Sequence, residues 1–253
     1  MATGRTVLKW SKVYVAGYDL TGYSRTFGPL AWSLGEEDAT VLSDPVKNAL
    51  AGQAMINVGT INAVLDNTTG TSHDLLNTVT ERVILLPIGI RATPAAGDPA
   101  FMGTFLQKDH MTEATTGTAV TISAPFSGWS NNASSLLYGN PWGVLLHAKG
   151  AETTVNSSTG IDDRGASSAK GGYMVYQCFS SNGTVTLKTQ DASTNVSGSF
   201  ADLVSSGSIN ASVTPVAGMV ALSPTATVNR YLRWQIVLGT ATTVTFAIGF
   251  VRA

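Results

Sequence analysis

Residues 230–253 read RYLRWQIVLGTATTVTFAIGFVRA. In the first arm Leu232, Trp234, Ile236 and Leu238 share one parity, and beyond Gly239-Thr240-Ala241-Thr242 the second arm repeats the pattern with Val244, Phe246, Ile248 and Phe250. Alternation of this kind places successive side chains on opposite faces of a strand. The spacing predicts a two-stranded antiparallel hairpin with one apolar face, those eight residues turned inward and Tyr231, Arg233 and Gln235 turned outward. Almost no group on it is capable of chemistry, so its expected role is packing.

The same strand-rich grammar extends toward the N-terminus. Residues 12–34 read as extended segments punctuated by Gly17, Gly22 and Gly28. A short helix is predicted over 44–52, with Asp44 as N-cap, Pro45 in the first helical position, Val46, Ala49 and Leu50 as a small apolar face, and Gly52 as the stop. A long strand follows over 53–66, then a second short helix over 71–81 capped by Thr71 or Ser72. RVILLPIGI at 82–90 reads as a further strand, and 100–111 and 118–126 as a strand pair. The polar bridge SGWSNNASSLLYGNPWG at 127–143 marks a domain boundary, giving one β domain over 1–130 and a β-sandwich over 131–253. In the second half, strands are expected at VLLHAKG, 171–181, 183–191 and 213–222, with a loop or flap over 150–170. The fold class is all-β with small helical inserts.

Composition narrows the function classes. Only 12% of the 253 residues are charged, although 43% are hydrophobic. A folded monomer of this size exposes roughly 10,600 Å², so much of that surface is Ser, Thr, Asn, Gly and Ala. Coverage by neighbouring copies accounts for such a surface, because interface cores are depleted in charge; a Thr/Ser-rich β-protein standing alone accounts for it equally. The net charge of −1 and the lack of a basic run argue against gripping nucleic acid. Cys178, the single cysteine, reads as a small buried hydrophobe. The apolar run at 83–90 is too short to span a bilayer, so no membrane partner is expected, and folding in a cytoplasm is.

No constellation carries catalytic chemistry. His73, His110 and His147 lack metal-ligand spacing, and a strand through 108–113 would put Asp109 and His110 on opposite faces, with Glu113 beyond. The acids at Glu36-Glu37-Asp38 and Asp162-Asp163 read as solvated turns rather than a glycosidase pair. GASSAKGG at 165–172 fails as a phosphate loop because no Ser or Thr follows its lysine. Trp129, Tyr138 and Trp142 in the polar bridge read as structural aromatics, a sugar platform being the alternative. The expectation is a non-enzyme without cofactor or metal.

Several stretches together carry a family likeness: VYVAGYDLTGYSRTFGP, EEDATVLSDPVKNALAG, INVGTINAVLDNTTGTSHDLLNT and AFMGTFLQKDHMTEATTGTAVTISAPFSG in the first half, and GGYMVYQC, GTVTLKTQDAS, FADL and the closing segment in the second. With them the chain resembles the major tail (tail tube) proteins of long-tailed, siphovirus-type bacteriophages, with an added C-terminal domain. The resemblance implies a tube-forming β-sandwich or barrel whose copies close into hexameric rings, the rings stacking into the conduit for DNA ejection, with the second half decorating the outside. It implies as partners other copies of the chain and the terminator, tape measure and distal tail proteins. DNA would pass without specific binding along a polar or acidic wall. Its place would be the virion tail, assembled in the bacterial cytoplasm. For the hairpin that bridges successive rings in that family, the candidates are residues 1–12 and the loop around 36–44. A capsid decoration or minor tail protein, or a carbohydrate-binding module, are the alternatives.

Overall fold

The computed structural model describes residues 11–41, 46, 49–89, 93–128, 140–155, 157–162 and 165–253. Its elements in chain order are β1 (Tyr14–Val15), β2 (Tyr18–Asp19), β3 (Ser24–Gly28), β4 (Ala31–Asp38), β5 (Ala49–Val64), α1 (Ser72–Leu76), β6 (Glu81–Pro87), β7 (Pro99–Gln107), β8 (Met111–Glu113), β9 (Thr121–Ser127), β10 (Trp142–Glu152), β11 (Ile161–Asp162), β12 (Gly172–Ser181), β13 (Thr184–Ala192), a 3-10 turn (Ser197–Ser199), β14 (Ala201–Asn210), β15 (Val216–Ala221), β16 (Tyr231–Leu238) and β17 (Val244–Arg252). The fold is all-β, as expected. All the pairings are antiparallel.

The strands form two sheets. The larger runs β15-β12-β17-β10-β7-β6-β1-β2, with β9 joining β7 to β5 and β5 carrying β3 and β4; the smaller runs β11-β16-β13-β14. β10 pairs with β7 on one side and β17 on the other, so the two halves of the chain share one continuous sheet. The boundary expected at 130/131 falls outside the described residues.

Period-two alternation builds three apolar cores from these sheets. Phe246, Ile248 and Phe250 of β17 and Met174, Tyr176 and Cys178 of β12 face the small sheet, where they meet Leu187, Leu232, Trp234 and Ile236. Ala247 and Val251 of β17 and Tyr173 and Val175 of β12 point the other way, onto Leu85 of β6 and Ala100 and Met102 of β7. The opposite faces of β6 and β7, through Ile84, Leu86, Phe101 and Phe105, close a third core with Val58, Ile61, Ala124 and Phe126. The large sheet therefore curls back on itself, and β6, β7, β12 and β17 are buried on both faces.

The closing hairpin is not present as a pair. β16 pairs with β13 and β11 in the small sheet, whereas β17 pairs with β12 and β10 in the large one. The segment between them is an arch that crosses from sheet to sheet. The β12–β13 turn and the first residue of β13 hold it: Asn182 Oδ1 accepts from the Thr242 and Thr243 amides at 2.8 and 3.0 Å, and the Thr184 carbonyl accepts from the Gly239 amide at 2.9 Å. The inward assignment stands, because Leu232, Trp234, Ile236, Val244, Phe246, Ile248 and Phe250 are buried and Leu238 packs at the margin of the same core. Arg233 does sit on the opposite face of β16 and is only 7% exposed, but its neighbours there, Tyr231 and Gln235, are half-buried and Val237 is exposed, so that face is covered only at Arg233.

The helix expected over 44–52 is also overturned. Ala49, Leu50 and Gly52 lie in the sixteen-residue strand β5, and Asp44 and Pro45 lie outside the described residues. A three-residue apolar spacing is a weak helical signal, and pairing with β4 outweighs it, with Glu36 opposite Ala51 and Asp38 opposite Ala49. Gly52 falls where the β4–β5 register shifts, between the Leu34–Ala54 and Glu36–Ala51 pairs, which makes it a bulge glycine rather than a helix stop. The second helix exists but is short: Thr71 precedes it, and its hydroxyl donates back to the Asp66 and Thr68 carbonyls instead of capping. Strand β9 touches β7 only at Leu106–Ser127 and Gln107–Phe126, its long partner being β5. Within 150–170, Ile161–Asp162 forms a strand on β16. Among the described residues no helix is long and apolar enough to cross a membrane.

Candidate assembly surface

β9 lies along β5 from Val64 only as far as Asn57, and β3 pairs with it only between Ala63 and Gly59. Below that point, among the described residues, β5 pairs with β4 alone. Residues 32–38 and 49–56 therefore form a two-stranded arm about 24 Å long at ~3.4 Å per residue, its root held by the Gly128 amide donating to the Ile56 carbonyl. Toward its tip Asp38 and Thr40 are exposed; the Thr40 amide donates to Asp38 Oδ1 at 2.9 Å, and hydrogen bonding from the Thr40 side chain first and this amide second holds the carboxyl below its ordinary range. Two apolar side chains, Val41 and Val46, are 58% and 67% exposed there. Of the two segments named as ring-bridging candidates, 36–41 lies at this tip, while 42–44 and most of 1–12 fall outside the described residues.

Other margins of the sheets are open as well. In the described pairings β2 and β15 end the large sheet, β11 and β14 end the small one, and Val213 is almost fully exposed beyond β14. An open margin presents unpaired N–H and C=O groups to a neighbouring strand. The chemistry available here is backbone pairing plus burial of apolar side chains.

The residues weighed for reactivity are placed as follows. His147 lies in the core between the sheets, its ring stacked on Phe246 at 4.2 Å and edge-on to Trp234 at 4.5 Å. Its Nδ1 is 3.2 Å from the Phe246 carbonyl and its Nε2 3.3 Å from Glu152. Desolvation pushes its pKa down against the opposing pull of Glu152. Cys178 is fully buried and its thiol is pushed up to about 11 by desolvation. Residues 108–110 are not in a strand, so the opposite-face argument for Asp109 and His110 does not apply; the His110 amide donates to Asp109 Oδ1 at 2.7 Å. His110 instead meets His73, ring centroids 5.3 Å apart, a meeting that nothing in their separation along the chain signals. Among the described residues no three His, Cys, Asp or Glu side chains gather around one point. Asp162 accepts from Arg230 Nη2 and Nε at 2.5 and 2.9 Å, while Asp163 lies outside the described residues. Trp142 packs edge-on against Phe101 at 5.2 Å, and Trp129 and Tyr138 lie outside the described residues.

Sequence reasoning missed the polar pins between layers. Gln177 is fully buried, accepts from the Gly17 amide at 2.5 Å and donates to the Val83 carbonyl at 3.0 Å. Arg252, 2% exposed, donates to the Val228 and Asn229 carbonyls at 2.6 Å each.

No family model matches the chain, and no curated protein matches it. Among solved structures it is similar to the Dit protein of phage SPP1, described as a paradigm of the hub adsorption apparatus of phages infecting Gram-positive bacteria: 12% identity over 95% of this chain and 98% of that one, TM-score 0.32. A second similarity is to the infectious bursal disease virus Gx strain structure, at 12% identity over 95% of this chain and 67% of the other, TM-score 0.22. Superpositions this loose transfer nothing about function.

Proposed function

We propose that this chain is a structural subunit of a phage tail, joining copies of itself into stacked hexameric rings that form the tube for DNA ejection. The observation that carries the reading is the β4–β5 arm, a strand pair that has no third strand over its outer half among the described residues. Two strands alone are marginal in water. Docked on the sheet margin of a neighbouring copy, the arm gains both a pairing partner and cover for Val41 and Val46. A heterologous contact that closes by rotation makes a ring, and a second set of contacts along the axis stacks it. The low charge content fits a surface largely covered by other copies, and the residue likeness to tail tube proteins points the same way.

The test compares the full chain with a variant in which a two-residue turn replaces residues 39–48. Negative-stain microscopy and sedimentation should show rings or tubes for the full chain and smaller species for the shortened one, with thermal unfolding nearly unchanged. A full chain that remains a single subunit at milligram-per-millilitre concentration would refute the proposal.

A further inference from the structure

Among the described residues three arginines are nearly buried, and one of them lacks the partners the other two have. Arg252 directs Nη1 and Nη2 to backbone carbonyls, and Arg82 gives Nε to Gln107 and Nη2 to the Thr78 carbonyl. Arg233, 7% exposed, donates only from Nε, to Gln190 Oε1 at 2.8 Å, while the Phe200 ring lies 4.2 Å from its guanidinium carbon. Among the described residues its Nη1 and Nη2 groups make no hydrogen bond, and no carboxylate lies within ion-pair distance. Asp202 reaches it only through Gln190, whose Nε2 donates to Asp202, and Lys188 already neutralises that carboxylate. Most of the residue is out of water without a counter-charge, which is costly, while its Nη groups keep their contact with solvent. Burial alone shifts the Arg233 pKa downward, with no opposing charge.

The unsatisfied face of Arg233 lines a cleft of about 220 Å³ between the 157–160 loop and the segment 195–200. Ser158 lines the same cleft, and its buried Oγ has no hydrogen-bond partner. The walls are pinned together: the Gly160 amide donates to Asn195 Oδ1 and Asn195 Nδ2 donates to the Gly160 carbonyl, both at 3.1 Å. A β-carbon at Gly160 would strike Asn195 and Phe200 at 2.5 Å, so the loops meet closely only because this residue has none. The result is a preformed pocket with fork-shaped donors, a second donor, and a rim of hydroxyl and amide groups.

We propose that this cleft is a binding site for an oxyanion, a carboxylate or phosphate group on a small polar ligand, anchored by the Arg233 guanidinium with the Ser158 hydroxyl as second donor. A guanidinium presents paired N–H groups that match a carboxylate or phosphate edge, and such charge-assisted bonds are the strong ones. The inference is independent of the tail-tube reading.

Calorimetric titration of the full chain at low ionic strength with sodium phosphate, sodium glucuronate and glucose tests it. Both anions should bind, more weakly as salt is added, and glucose should not. Tighter binding of glucuronate assigns the oxyanion to an acidic sugar, and tighter binding of phosphate assigns it to a phosphoryl group. Ser158→Ala should weaken binding by about tenfold with the melting temperature unchanged, and Arg233→Lys, which keeps charge but loses the fork, should weaken it further. Failure of both anions to bind the wild-type chain would overturn the proposal, as would wild-type affinity in Ser158→Ala and Arg233→Lys together.

Discussion

β17 and the outer half of β5 are both parts of long strands, and they are held in opposite ways. β17 has a hydrogen-bonded neighbour on each side and an apolar core on each face. The outer half of β5 has one described neighbour, β4, and ends near exposed valines. Strand character alone therefore does not say what a segment contributes. The first kind of strand holds the subunit together, and the second is free to hold something else.

The largest test of that contrast is truncation inside the core. Phe246→Ala removes the ring against which His147 stacks and Trp234 packs, and should cost about 3–5 kcal/mol, read from denaturant unfolding. A smaller loss, about 1–3 kcal/mol, is expected for Gln177→Ala, which strands the buried Gly17 amide and the Val83 carbonyl. If Gln177→Ala proved neutral, the two layers would be held by apolar contact alone.

A pH scan probes the same core more gently. His147 has its folded-state pKa depressed by burial, so the neutral form is the one the fold accommodates. Stability is then fully present above the unfolded value of about 6.5 and is lost as pH falls from there through the folded pKa. Asp19 and Asp202, whose carboxyls are held low by Lys149 and Lys188 among other bonds, lose their contribution only below about 3.9. Urea midpoints between pH 7 and 4.5 should therefore fall for the wild type, and the part of that slope due to this group should vanish in His147→Phe. The smallest effect on stability belongs to the arm: shortening it should change unfolding by less than about 1 kcal/mol while changing assembly most. A large stability loss there would dissolve the distinction between the two regions.

Much of this was legible in the residues. Strand content, the inward parity of the closing segment and the burial of Cys178 follow from local alternation, which survives whatever the strands pair with. Pairing itself is not local. The two arms of 230–253 look equivalent because each has an apolar parity, yet only β16 alternates with polar residues, in Arg233 and Gln235; β17 carries Ala247, Gly249 and Val251 on its second parity. That difference, one face wetted against none, was the available sign that they belong to different layers. The helix expected over 44–52 failed because three apolar residues, little more than one turn, are too short a pattern to fix a helical period against strand pairing with β4. The Arg233 cleft had no sequence signature, since its parts come from segments about 75 residues apart and its defining property is a counter-charge that is missing.

The two faces of β17 also differ in bulk. One parity carries Val244, Phe246, Ile248 and Phe250, and the other Thr245, Ala247, Gly249 and Val251, with Gly249 lying where an added methyl would press on Met102 and Leu85. Polarity cannot fix the register of a strand that is greasy on both sides, because a one-residue slip would cost it no hydrophobicity. Volume can: the slip would drive phenylalanines into the thin seam against β6 and β7 and leave voids opposite β16. The alignment of the whole stack is thus encoded in the sizes of side chains, large beside small, along a single ribbon.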